Sequence, residues 1–236
     1  MTSGVIPSPN IWHDPAGYER TNHGTDPAGV VDAAMAEIRD LRGAVVLDIG
    51  CGTGFHLPRL AAAAGPTGRV VGVEPHPPLL ALARRRISHP VAGSAVVQVL
   101  PGSAQRLPLP PSGVDVAQAR WAYFFGPGCE PGLAELTRVM RRGGTAFVVD
   151  VDASRSEFGR WFRRQLPGHD PGEVARFWAR QGWHRRSLDI EWTQPDRDAF
   201  AAALGREFSA ELTGQILAEH RGTGLDCAVN LLWRHF

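Results

Sequence analysis

Residues 45–54 read VVLDIGCGTG, and the fold follows from how that stretch changes character along its length. Its first half is short, apolar and rich in β-branched residues, as expected of a strand buried on both faces of a parallel sheet. Its second half places Gly50, Gly52 and Gly54 at alternate positions, just before residues 55–64, which read as a helix. Glycines there permit backbone conformations and close approaches that a Cβ forbids. A plain tight turn has no need of three. Strand, glycine turn and helix together predict a ligand site at the carboxyl end of a parallel sheet.

Outward from this unit the same rhythm repeats. Runs 69–73, 95–100, 114–119, 144–151, 186–193 and 225–233 read as strands. Between them, 78–86, 131–141, 170–181, 196–205 and 209–220 read as helices. Upstream, Asp26-Pro27 predicts a cap with proline at the first helical position, opening a helix over 27–42. Alternation of this kind predicts an α/β, doubly wound, seven-stranded sheet with helices on both faces. Only 152–170 breaks the rhythm. Its aromatics Phe158, Trp161 and Phe162, among several arginines, suggest a substrate lid, against the plainer reading of an amphipathic helix on the sheet or on a second subunit. The expectation is one domain over 1–236. It comprises an N-terminal helical or lid segment (1–43), a core (44–151), the candidate lid (152–170) and the rest of the sheet (171–236).

Composition removes several kinds of chemistry. All 25 basic residues are arginine and none is lysine, so Schiff-base enzymes and phosphate-binding lysine loops are excluded. The bias also resembles GC-rich bacterial coding sequence. A net charge of +1 gathers neither nucleic acid nor an anionic membrane, and the arginine runs fit solvated faces. Cys51, Cys129 and Cys227 show no metal-ligand spacing and read as small buried hydrophobes, so no metal is expected. No apolar leader or span of about 18 residues appears, which predicts a cytoplasmic protein, monomeric or homodimeric.

Glu74 closes the second strand, twenty residues past Gly54, followed by Pro75. A carboxylate at that place can accept both hydroxyls of a ribose. The two features leave a nicotinamide cofactor and S-adenosylmethionine open. The spacing G-x-G-x-G, preceded by Asp48, suits a pyrophosphate poorly, since nicotinamide binders favour G-x-G-x-x-G.

At this point the sequence resembles the class I S-adenosylmethionine-dependent methyltransferases, in the small-molecule group whose first motif reads LDIGCGTG. Residues 70–76 (VVGVEPH) are similar to the second motif, 102–116 to a stretch reading G-D-A-x-x-L-P-F, and 133–150 to the helix, glycine turn and strand that follow. The resemblance covers 44–150. It implies a Rossmann-like sheet, mostly parallel with an antiparallel last strand. It also implies S-adenosylmethionine held by Asp48, Gly50, Cys51, Gly52, Gly54, Glu74, Pro75, Ser103, Ala104 and Arg120, with Tyr18 closing over the methionine end. Ser103 stands where the family has aspartate, and Phe124-Phe125 where many relatives pair histidines.

For the acceptor, a small organic molecule is expected, methylated at oxygen or nitrogen. Trp121, Tyr123, Phe158, Trp161 and Phe162 are the candidate substrate contacts. His13, His23, Tyr123 and Asp152 are candidate bases, none singled out by spacing. A non-catalytic cofactor-binding protein and a nicotinamide-dependent oxidoreductase are the alternatives.

Overall fold

The structure is a computed structural model in which residues 9–89 and 91–236 are described. The first eight residues of the N-terminal segment lie outside them. At the centre of one seven-stranded sheet sits β1 (Val45–Ile49), parallel to β2 (Arg69–Glu74) on one side and β4 (Val114–Arg120) on the other. Beyond β2 lies β3 (Val96–Pro101), and beyond β4 lies β5 (Met140–Val151), both parallel. The last strand, β7 (Gly224–His235), inserts antiparallel between β5 and β6 (His184–Thr193). The order is therefore β3-β2-β1-β4-β5-β7-β6, and the chain reverses direction across the sheet between β1 and β4.

Alternate strand residues feed two separate apolar clusters, as the pleat requires. Val46, Val70, Val116 and Val149 face one cluster. It is closed by α3 (Val30–Ile38), α4 (Leu57–Ala64), α5 (Pro77–Arg86), α7 (Glu157–Gln165), α9 (Arg197–Glu207) and α10 (Ala210–Glu219). Leu47, Val71, Ala117 and Val148 face the other, under α6 (Glu130–Val139) and α8 (Pro171–Arg180). Two helices precede all of these, α1 (Pro9–His13) and α2 (Pro15–His23).

Three differences from the expected elements have local causes. The helix expected over 27–42 starts at Val30, with Gly29 left-handed before it. Asp26 still caps it, its carboxylate accepting the Val30 and Val31 N–H groups at 2.8 and 2.9 Å. Helices α1 and α2 are too short and polar to show a period. The candidate lid 152–170 contains α7, started by Ser156, whose Oγ accepts the Gly159 N–H at 3.1 Å. Phe158 and Trp161 on that helix are buried against the sheet, so the segment is a packed amphipathic helix. Among the described residues, no helix is long and apolar enough to cross a membrane.

Candidate active site

Two cavities adjoin beyond the carboxyl ends of the central strands, one of about 250 Å³ and one of about 380 Å³. Asn10, Tyr18, Asn22, Trp121 and Phe125 line both. The place is the topological switch point of the sheet, where doubly wound folds open a crevice.

The first cavity is built on the glycine turn. Gly50 and Gly52 have φ of +73° and +56°. A Cβ on Gly50 would stand 2.6 Å from that of Ala122, and one on Gly52 would stand 2.9 Å from Ile11 Cδ1. The Gly50 and Cys51 N–H groups donate to the Val73 carbonyl, which ties the turn to β2. Glu74 completes the tie: Oε2 accepts the Gly52 N–H at 2.9 Å and Oε1 that of His76 at 2.8 Å. Burial raises the Glu74 pKa, while these two N–H groups oppose that rise. The carboxylate is thus held in place with acceptor capacity to spare at the cavity wall.

Of the expected cofactor contacts, Gly50, Cys51, Gly52, Glu74, Pro75, Ser103, Ala104, Arg120 and Tyr18 line this cavity. Asp48 and Gly54 stand behind its wall. Gly54 lets α5 approach, since its Cβ would meet Ala83 at 3.2 Å. Asp48 is buried, with Oδ1 accepting from Gln118 Nε2 at 2.9 Å and Oδ2 unpartnered. Burial pushes its pKa up to about 6, against the pull of Gln118 and Arg120. Ser103 sits in a tight turn, its backbone bridged to Arg106.

Arg120 ends β4 with its side chain almost wholly covered. Nε donates to Gln118 Oε1 at 3.2 Å, and Nη2 is ion-paired with Asp32, which Arg59 also reaches at 3.1 Å. Burial raises the Asp32 pKa, but the Arg120 and Arg59 charges and the hydrogen bond from Arg120 outweigh it and hold the carboxylate below its usual range. His56 lines the same wall, with burial and the Arg120 charge pushing its pKa down to about 3, so it is neutral.

Helices α1 and α2 roof this cavity. Trp12 stacks on His76 with ring centres 4.3 Å apart and planes 7° from parallel. Glu19 pairs with Arg86 at 2.5 Å. The covering element is therefore N-terminal, whereas 152–170 supplies a side wall of the second chamber.

That second chamber is aromatic. Trp121, Phe125, Phe158, Phe162 and Trp192 line it, and Trp121 lies at φ +47° in the turn after β4. Several expectations need correction here. Trp161 lines neither cavity; it packs edge-on to Phe208 and His220. Tyr123 lines the first cavity only, its ring filling the space over Gly132. His13 and His23 are exposed and line neither cavity, His23 resting edge-on against Phe55 at 4.9 Å. Asp152 is buried among Ser154, Ser187 and Arg185, which hold its pKa low against the opposing effect of burial. A carboxylate so engaged is a structural post.

Two acids were missed. Asp150, near the end of β5, and Glu207, the last residue of α9, both line the second chamber. Asp150 is the second-last residue of β5, and nothing local marked it as lining a cavity. Glu207 comes from a distant helix whose sequence carries no mark of it. Among the described residues, no cluster of three or more His, Cys, Asp or Glu could hold a metal ion.

Residues 46–144 match the family described as "Methyltransferase domain". An uncharacterized 37.1 kDa protein in transposon TN4556 of Streptomyces fradiae is 34% identical over 129 residues, 54% of this chain and 36% of that protein. A demethylmenaquinone methyltransferase of Lactococcus lactis is 25% identical over 80% of this chain and 73% of its own length. This chain thus spans about a third of the first relative and most of the second. A solved structure described as a SAM-dependent methyltransferase from Aquifex aeolicus superposes with a TM-score of 0.57 at 19% identity, covering 97% of this chain and 98% of that one. The stretch that carries the glycine turn is thus similar to a methyltransferase domain, and the whole chain shares its fold with that solved structure.

Proposed function

We propose that the protein transfers a methyl group from S-adenosylmethionine to an oxygen or nitrogen of a small, partly apolar acceptor. The observation that carries this reading is the pair of adjoining cavities sharing Tyr18, Trp121 and Phe125. One has the donor set a nucleoside needs, and the other is shaped for an organic molecule.

The residues present fit the cofactor. Glu74 has spare acceptors for a ribose diol, and Leu79 and Ile49 give an apolar floor. Ser103 offers a hydroxyl beside the base, and Arg120 Nη1 remains a donor for the carboxylate of the methionine end. When bound there, S-adenosylmethionine supplies an electrophilic methyl group on a cationic sulfur. The chain's own task is to align the acceptor and exclude water. Alignment of this kind is worth up to about 7–11 kcal/mol of barrier, so the reaction can proceed without a dedicated base for a neutral amine. The aromatic chamber and the near-neutral net charge favour a small acceptor over a polyanion.

Calorimetric titration with S-adenosylmethionine, S-adenosylhomocysteine and NADH, followed by transfer of a labelled methyl group to an acceptor library, tests the reading. Binding of NADH alone, or of no nucleotide, refutes it. Tight S-adenosylmethionine binding with no transfer to any member of the library favours a binding protein of the same fold.

A further inference from the structure

Asp150 and Glu207 enter the second chamber from separate elements, and no arginine or histidine among the described residues forms an ion pair with either. Asp150 Oδ1 accepts the Val151 N–H at 2.8 Å, and Oδ2 has no described partner. Asp150 lines the chamber and is half-buried, and burial raises its pKa. Glu207 Oε2 takes one long hydrogen bond from Asn10 Nδ2, at 3.4 Å. The adjacent Arg206 is engaged elsewhere, with the Gly17 carbonyl at 2.8 Å and with Thr21 and Asp14.

Two further acids and one histidine line the chamber. Tyr18 and Cys227 are neutral acids, both pushed up by burial and by Glu207, Cys227 to about 12. His169 lies edge-on to Phe162, with ring centres 5.2 Å apart. Two largely buried carboxyls in an aromatic chamber, with no ion pair and only the nearby Arg206 charge opposing the effect of burial on Glu207, are unfavourable as charges unless something positive joins them.

We propose that the acceptor is a protonated amine carried on an apolar or aromatic body, its ammonium group held by Asp150 and Glu207; this deepens the methyl-transfer reading and rests on it. The faces of Trp121, Phe125 and Trp192 complete the selection, since aromatic faces attract a desolvated cation. A neutral alcohol leaves both acids uncompensated, and a carboxylate is repelled by them.

The same acids solve the nucleophile's problem, because an ammonium has no lone pair. An N–H bond breaks, an O–H bond forms on the carboxylate, and the electron pair stays on nitrogen to attack the methyl carbon. The C–S pair returns to sulfur, and the proton later leaves the carboxyl to solvent. Burial lifts both acids to about 7, so each can hold an ammonium and take its proton near neutrality.

Fluorescence of the chamber tryptophans gives a readout separate from turnover. Phenethylamine, 2-phenylethanol and 3-phenylpropionate are titrated into the protein in the presence of S-adenosylhomocysteine, whose own binding is measured by calorimetry. Phenethylamine should bind at least about tenfold tighter than the other two, as expected when a buried charge finds its partner. Asp150→Asn and Glu207→Gln should each remove most of that preference, with thermal melts confirming that both fold. An alcohol that binds as tightly as the amine, or no binding of the amine to the wild type, overturns the proposal. So does a preference that survives in both variants. If S-adenosylhomocysteine itself does not bind, the methyl-transfer reading fails; if it binds without an amine preference, only the amine proposal fails.

Discussion

Glu74 Oε2 accepts the Gly52 N–H at 2.9 Å, so the acid that closes β2 also fixes the turn that leaves β1. One side chain thereby shapes two walls of the first cavity. Replacing it by alanine removes an acceptor for the ribose and leaves the Gly52 and His76 N–H groups without their partner. Glu74→Ala should weaken S-adenosylhomocysteine binding by more than about 1.4 kcal/mol and lower the melting temperature as well. Calorimetry and thermal melts on the same sample check both; unchanged affinity removes Glu74 from the cofactor site.

Glycines at left-handed φ are not equivalent in this chain. Gly50 and Gly143 have φ of +73° and +80°. A Cβ on Gly50 runs into Ala122 at 2.6 Å, whereas one on Gly143 meets nothing within 4 Å. Both alanine variants carry a strain of about 1–2 kcal/mol. Gly50→Ala should add about 1–3 kcal/mol of overpacking and displace the Trp121 turn from the cofactor cavity. Chemical denaturation of the pair isolates that difference, and equal losses would remove the contact as the reason for Gly50.

The contrast explains what could be read in advance. The strand-and-glycine unit, Glu74 and the strand rhythm are local signals of period, turn chemistry and position, so the sheet and the wall of the first cavity were legible. Trp161 was misassigned because an aromatic in a rhythm-breaking segment looks alike whether it faces a ligand or Phe208. The acids at the second chamber escaped for another reason. Asp150 and Glu207 lie 57 positions apart and meet only through the packing of α9 beside the sheet.

Asp48 predicts a pH signature. Its folded pKa, about 6, lies above its ordinary 3.8, so folding favours the protonated form. The stability it contributes is fully present below the unfolded value and is lost as pH rises through about 6. Asp48→Asn keeps an acceptor for Gln118 and removes the titration. Between about pH 4 and about pH 8 the variant should gain stability over the wild type by up to about 3 kcal/mol. Asp150 and Glu207 titrate in the same direction but remain in both proteins, so the difference curve belongs to Asp48. A flat difference curve in urea unfolding would show that the unpartnered Oδ2 carries no penalty.

Trp161 and Phe162 are neighbours on α7 with opposite duties. Trp161 is buried against Phe208, while Phe162 lines the second chamber. Trp161→Ala should cost about 3–5 kcal/mol of stability. Phe162→Ala should cost less and instead raise the KM for the acceptor with little change in kcat. If the two effects are exchanged, Trp161 returns as a substrate contact.

Trp12 makes the N-terminal roof a latch. Its ring stacks on His76, at the start of the helix that follows Glu74, and Ile11 beside it covers Gly52. The roof covers the first cavity without belonging to the sheet, so its opening need not disturb the core. Stacking of this kind is worth about 0.5–1.5 kcal/mol beyond burial. Trp12→Ala should therefore speed S-adenosylhomocysteine dissociation by roughly three- to tenfold, with the melting temperature of the unliganded protein nearly unchanged. His76→Ala should do the same, and the double variant should add little, since each single change already breaks the stack. Stopped-flow displacement reads the rates directly. Additive effects of the two substitutions would mean that the rings act separately and that the roof is held by Glu19 and Arg86 instead.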